Sequence, residues 1–169
     1  MATNEAAAPV KRRMSAENRK TQILDVAWKI AVTEGIPAVT MDRLAQESGV
    51  TRTLIYQQFG NLAAVMLVLI DREYSKEATR FLEMVAKYPT AGVESFVSIM
   101  AGLLVAIDDN PDAWRIFLRP SEGCPPEVYD RLIQGRELTR QALEHSLRTA
   151  FASGNINDDF SDIELSIRT

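Results

Sequence analysis

The sequence is poor in the residues that most chemistry at protein sites requires: one cysteine and one histidine in 169 residues, with aromatic side chains at 7%. A lone Cys124 excludes an internal disulfide and fits a reducing compartment. Cys124 and His145 together fall short of a His-rich or Cys-rich metal set. The acidic neighbours of Cys124 in "EGCPPE" oppose the thiolate that redox sensing would need, and His145 in "ALEHSLRTAF" reads as a helix-surface or interface position. There is no Gly-rich phosphate loop and no GxSxG elbow. Neither an enzyme nor a bound cofactor or metal is therefore expected. Long apolar runs are also missing: the longest, "AAVMLVLI" at 63–70, is far too short to span a bilayer, and the N-terminus has no apolar signal region. A cytoplasmic protein without membrane contact is the expectation.

What the chain does have is 46% hydrophobic residues, enough for a real core, and a net charge of −4 that is unevenly spread. Residues 1–60 hold eight Lys or Arg against six Asp or Glu, whereas residues 61–169 hold eleven against seventeen. The stretch "KRRMSAENRK" at 11–20 carries five of the basic residues and a single acid. A basic end on an acidic protein suits a polyanion-binding module joined to something else, and Arg12 and Arg13 are its candidate contacts.

Periodicity predicts an all-α chain. Ile23, Ala27, Ile30 and Ala31 repeat at helical spacing from about Ser15 to Glu34, with Ser15 as N-cap and Gly35 as stop. Thr40 has the chemistry to cap a short helix, Met41 to Ser48, with Met41, Leu44 and Ala45 on its apolar face. Gly49 suits a tight reversal that needs positive φ. Thr51 then caps another short helix, to about Phe59, whose inward face is Leu54, Ile55 and Phe59 and whose other side carries Thr51, Arg52, Thr53, Tyr56, Gln57 and Gln58. This is the helix-turn-helix pattern, and a polar second helix of this kind fits the major groove of B-DNA. There Gln pairs with adenine, Arg grips guanine or phosphate, Thr offers a hydroxyl and a methyl, and Tyr commonly binds phosphate. Asn61, just after the Gly60 stop, completes the candidate set.

From Ile23 to Phe59 the sequence "ILDVAWKIAVTEGIPAVTMDRLAQESGVTRTLIYQQF" resembles, without a gap, the DNA-binding domain of the TetR family of bacterial transcriptional regulators. The resemblance implies that Thr51, Arg52, Thr53 and Gln57 approach bases or adjacent phosphates. It also implies that Thr40 and Tyr56 bind phosphate and that an arm including Lys11 to Arg13 reaches the backbone or minor groove. Two positions depart from the family pattern: Thr53 stands where many members have glycine, and Leu62 where many have a phosphate-binding lysine.

The expected organisation is a basic arm over 1–14, a helix-turn-helix DNA-binding domain over 15–60, and a helical regulatory domain over 61–169. In the last, Leu62, Met66, Ile70, Tyr74, Phe81 and Val85 mark a long helix broken by "KYPTAG". Thr90 is placed as the cap of a helix to about Ile107. Asn110 and Pro111 suit the N-cap and first position of another, and a final helix runs from about Glu127 to Ser153. Phe81, Met84, Phe96, Met100, Leu103, Trp114, Phe117 and Leu118 are candidates for an apolar ligand cavity or for plain core. The closing "NINDDFSDIELSIRT" begins an apolar period at Phe160, Ile163, Leu165 and Ile167, where similar proteins continue with two helices that make most of a two-fold interface. The resemblance implies a ligand-responsive regulator, most often a repressor, that binds a palindromic double-stranded operator as a homodimer and responds to a small apolar or amphipathic ligand. The alternatives are a helical ligand-binding or protein-interaction module without specific DNA binding and, third, an all-α enzyme.

Overall fold

The computed structural model describes residues 15–87, 92–119 and 123–153, and every regular element among them is helical, as the periodicity predicts. In chain order these are α1 Ala16–Glu34, α2 Met41–Ser48, α3 Arg52–Phe59, α4 Leu62–Val85, α5 Gly92–Asp109, α6 Pro111–Leu118 and α7 Pro126–Ser153, with a 3-10 turn at Ile36–Ala38 between α1 and α2. Sequence periodicity does not show the 3-10 turn, which is too short to have one. The basic arm with Arg12 and Arg13, the Thr90 cap and the closing apolar period from Phe160 to Ile167 lie outside the described residues.

Local chemistry sets the helix ends. The hydroxyl oxygens of Ser15, Thr40 and Thr51 each accept from the backbone N–H three residues on, at 3.2, 3.3 and 3.2 Å, satisfying donors that a helix start leaves orphaned. Asn61 does the same for α4, its Oδ1 accepting from Ala64 N at 2.8 Å. Asn110 departs from expectation. It precedes Pro111 as a cap residue should, but its side chain makes no cap bond, and its Nδ2 donates instead to Glu77 Oε1 at 2.7 Å. The reason is burial. Glu77 is only 4% exposed, and a buried carboxylate short of donors is worse for stability than an uncapped helix start.

One buried cluster runs through the molecule. Ile23, Leu24, Ala27, Ile30 and Ala31 of α1 join Leu44 and Ile55 from α2 and α3, then Val65, Met66, Leu69 and Ile70 of α4, then Ala113, Ile116 and Phe117 of α6 and Val128 and Leu132 of α7. The first turns of α4 therefore belong to the packing of the helix-turn-helix. Further along α4 the interior face turns polar. Glu73 accepts from Arg72 Nε at 2.7 Å and Lys76 Nζ at 2.9 Å, and Glu77 accepts from Arg80 as well as Asn110. The apolar spacing read along this helix passes over both acids. Arg72 also reaches Asp25 of α1 at 2.7 Å, and Arg131 of α7 reaches Asp71 at 2.7 Å, so α4 is tied to the helices on either side.

Candidate nucleic-acid interface

The turn between α2 and α3 is built from one residue's freedom. Gly49 sits at φ 64° and ψ 34°, the left-handed region that costs a side-chain-bearing residue about 1–2 kcal/mol, and the Val50 N–H donates back to Ala45 O at 3.0 Å. Gln22 of α1 fixes the corner from below, its Nε2 donating to Ser48 O at 3.0 Å. Arg43 clamps α2 to the end of α1, donating to both carboxylate oxygens of Glu34 at 2.6 and 2.7 Å and to Glu47 at 2.7 Å. The Arg43 hydrogen bonds hold the Glu34 carboxyl below its ordinary range and push the guanidinium's own affinity for its proton up. Arg43 is thereby committed to structure.

What this frame presents is one arc of α3. Ile55 is fully buried and Leu54 and Phe59 are half-buried, while Arg52, Thr53, Tyr56 and Gln57 are exposed, Tyr56 at 49%. At about 100° per residue those four positions share one side of the helix. Gln58 does not share it. It falls on the inward arc beside Leu54 and Ile55, half-buried, with its Oε1 enclosed and without a hydrogen-bond partner among the described residues, which corrects the expectation that it lies outside the packed face. Rotation about the helix axis, applied to every position, is the signal that finds this.

Around the arc stand the other expected contacts. Thr40 and Thr51 are exposed cap residues whose oxygens are engaged by backbone N–H groups, leaving each hydroxyl hydrogen to be donated. Asn61 is likewise exposed, with its oxygen engaged by the α4 cap and its amide N–H groups left to donate outward. Arg52 forms an ion pair with Asp42 from the first turn of α2, a neighbour not singled out in the sequence. Lys20 lies 5.6 Å from the centre of the Phe59 ring. Residues 15–60 hold five Lys or Arg and five Asp or Glu, so the whole positive excess of the first 60 residues comes from residues 1–14.

The second candidate site is a cavity of about 480 Å³ between α4, α5, α6 and α7. Of the expected lining, Leu103, Trp114, Phe117 and Leu118 are there, joined by Tyr74, Ile107 and, from α7, Ile133, Arg136, Glu137, Thr139, Arg140 and Leu143. Phe81 and Met84 instead pack against Gly102, where α4 and α5 approach so closely that a Cβ would collide with the Met84 side chain. Phe96 and Met100 are half-buried on α5 and line no part of the cavity. The α7 contribution escapes sequence reading because its residues are mixed polar and apolar. Elsewhere, burial pushes the Cys124 thiol up, away from the reactive thiolate, and His145 is exposed on α7.

Comparison with known proteins bears on the family of the chain. Residues 23–68 match the family model described as bacterial regulatory proteins, tetR family. An uncharacterized HTH-type transcriptional regulator, TtgW of Pseudomonas putida, is 32% identical over 100 residues, covering 57% of this chain and 69% of that protein. The HTH-type transcriptional regulator SrpR, also of Pseudomonas putida, is 26% identical over 150 residues, covering 86% of this chain and 67% of that protein. A third, the HTH-type transcriptional regulator HbdR of an Aromatoleum species, is 25% identical over 141 residues, covering 82% of this chain and 60% of that protein.

Proposed function

This chain belongs to the TetR family of bacterial regulatory proteins, and on that premise we propose that it is a cytoplasmic, ligand-released repressor that holds a palindromic operator as a homodimer. A DNA-binding transcriptional regulator, it is not an enzyme. The observation that carries the reading is the exposed arc of Arg52, Thr53, Tyr56 and Gln57, presented by a frame in which Thr40, Arg43 and Glu47 are already engaged in holding α2. In the major groove Gln57 and Thr53 read base edges, Arg52 exchanges Asp42 for guanine or phosphate, and Tyr56, Thr40 and Thr51 donate to phosphates on either side.

Release is proposed to run through α6. This short helix walls the cavity with Trp114 and Phe117, while Arg115 Nη2 donates to Val32 O near the end of α1 at 2.6 Å and Asn110 holds Glu77 of α4. An occupant that fits only a shifted α6 would draw on both ties and move the reading head relative to its twin, provided the two arrangements bind it unequally. The test is fluorescence anisotropy of the full chain on DNA from upstream of its own gene and on a scrambled duplex, at two salt concentrations, with molecular mass measured in parallel. Selective binding by a dimer is expected. Weak binding that ignores sequence would overturn the reading.

A further inference from the structure

We infer that the cavity selects an aromatic anion: a planar apolar body whose carboxylate or phenolate oxygen accepts from Trp114 and Tyr74 beside the charge of Arg136. The inference rests on the ligand-release reading above and names the chemical class of that ligand.

Three independent observations converge on it. The first is the wall. Tyr74 and Phe117 stack with ring centres 4.0 Å apart and planes 11° from parallel, and Trp114 meets Phe117 edge-on at 6.2 Å and 78°. Rings already in contact with one another leave no gap between them but give the cavity an aromatic wall, against which a planar guest can lay more of its surface than a globular one. The second is hydrogen bonding. Trp114 Nε1 and the Tyr74 hydroxyl are both buried and without a partner, two of only three such side-chain atoms among the described residues. An indole N–H can only donate, and buried donors normally find acceptors. What is missing is an acceptor, and both orphans belong to side chains that line the same cavity; each donor atom is itself covered, the Tyr74 hydroxyl against Gly135, so a ligand oxygen meets them as the rings turn toward it.

The third is charge. Arg140 is committed to Glu137 at 2.7 Å and Glu144 at 2.9 Å, and Glu144 also pairs with Arg148 at 2.6 Å, so these two arginines and two glutamates are balanced among themselves. Arg136, exposed on α7, makes no ion pair among the described residues and brings a positive charge to the solvent-facing part of the lining. A cationic ligand would face this guanidinium and two donors, and a hydrocarbon would leave both donors unsatisfied. An aromatic acid meets all three. Gly135 supports the arrangement from α7, because a Cβ there would collide with the Tyr74 hydroxyl and drive the ring from its place.

Equilibrium dialysis of the full chain against 2-naphthoate, naphthalene and 2-naphthylmethylammonium tests the assignment, since the three share a ring system and differ in the acceptor and its charge. Naphthoate should be retained roughly tenfold more tightly than either of the others. Trp114→Phe and Tyr74→Phe should each weaken naphthoate by about five- to tenfold while leaving naphthalene within about twofold, and Arg136→Gln should remove the salt dependence of naphthoate binding. Unchanged thermal melts identify the variants as folded. Equal retention of naphthalene and naphthoate, a preference for the cation, retention of none, or equal weakening of both by the ring variants would overturn the assignment. Operator anisotropy with the same compounds separates the two claims. If naphthalene releases DNA as well as naphthoate does, release stands and the aromatic-acid class falls. If naphthoate is retained in the expected pattern without releasing DNA, the class stands and release falls.

Discussion

Tyr56 and Gln57 are neighbours on the exposed arc of α3, but their chemistry separates them. A phenol that donates to phosphate carries no sequence information, so Tyr56→Phe should weaken binding to every operator variant by a similar factor, on the order of 1 kcal/mol. A glutamine amide that pairs with adenine does carry it, and Gln57→Ala should lose about 1–3 kcal/mol at one base pair and little elsewhere. Anisotropy across a set of single-substitution operators checks both, and matching losses on all sequences would remove the assigned roles. Gly49 makes a different kind of contribution. A Cβ there would meet nothing within 4 Å among the described residues, so Gly49→Ala should lower stability through backbone conformation, by about 1 kcal/mol, measurable by urea unfolding.

At the scale of elements, sequence reading succeeds where the determinant is local and fails where it is not. Ser15, Thr40 and Thr51 are readable as caps because their partners lie three residues away, and Gly49 because a turn of this geometry asks for glycine. Asn110 looks equally suited to a cap. Its side chain goes to Glu77, 33 residues earlier, a competitor that appears only when α4 and α6 are packed. The inward acids Glu73 and Glu77 and the α7 wall of the cavity are hidden for the same reason. Among the site residues, Arg52, Thr53, Tyr56 and Gln57 stand where the pattern puts them, and Gln58 does not, because one step of helical rotation separates the outer arc from the inner. The tie from α6 to α1 gives this scale its prediction. Arg115→Ala should lower stability by roughly 1 kcal/mol while cutting the ligand-induced loss of DNA affinity severalfold, because the bond to Val32 O joins the cavity to the reading head. An unchanged ratio of affinities with and without ligand would place the coupling elsewhere.

For the whole molecule the decisive quantity is the distribution of charge. Residues 15–60 are balanced in charge and the chain as a whole carries −4, so we propose that attraction to DNA over distance falls to the basic residues at 11–13. Deleting residues 1–13 should flatten the slope of log affinity against log salt by about 1–2 units while leaving discrimination between operator and scrambled DNA nearly intact. A slope that did not change would take the arm out of the interface. The continuous core has a consequence for how such proteins diversify. Val65, Met66, Leu69 and Ile70 lie beyond the glycine that ends α3, yet they are buried with Ile23, Ile30 and Ile55. An exchange of regulatory halves between relatives that crossed over at residue 60 would part Val65, Met66, Leu69 and Ile70 from α1 and α3, whereas one made past Ile70 would keep them together and divide the shared interior only at its contacts with α6 and α7. Chimaeras joined at those two points should differ in whether they fold, and descent by recombination should have left its seams within α4.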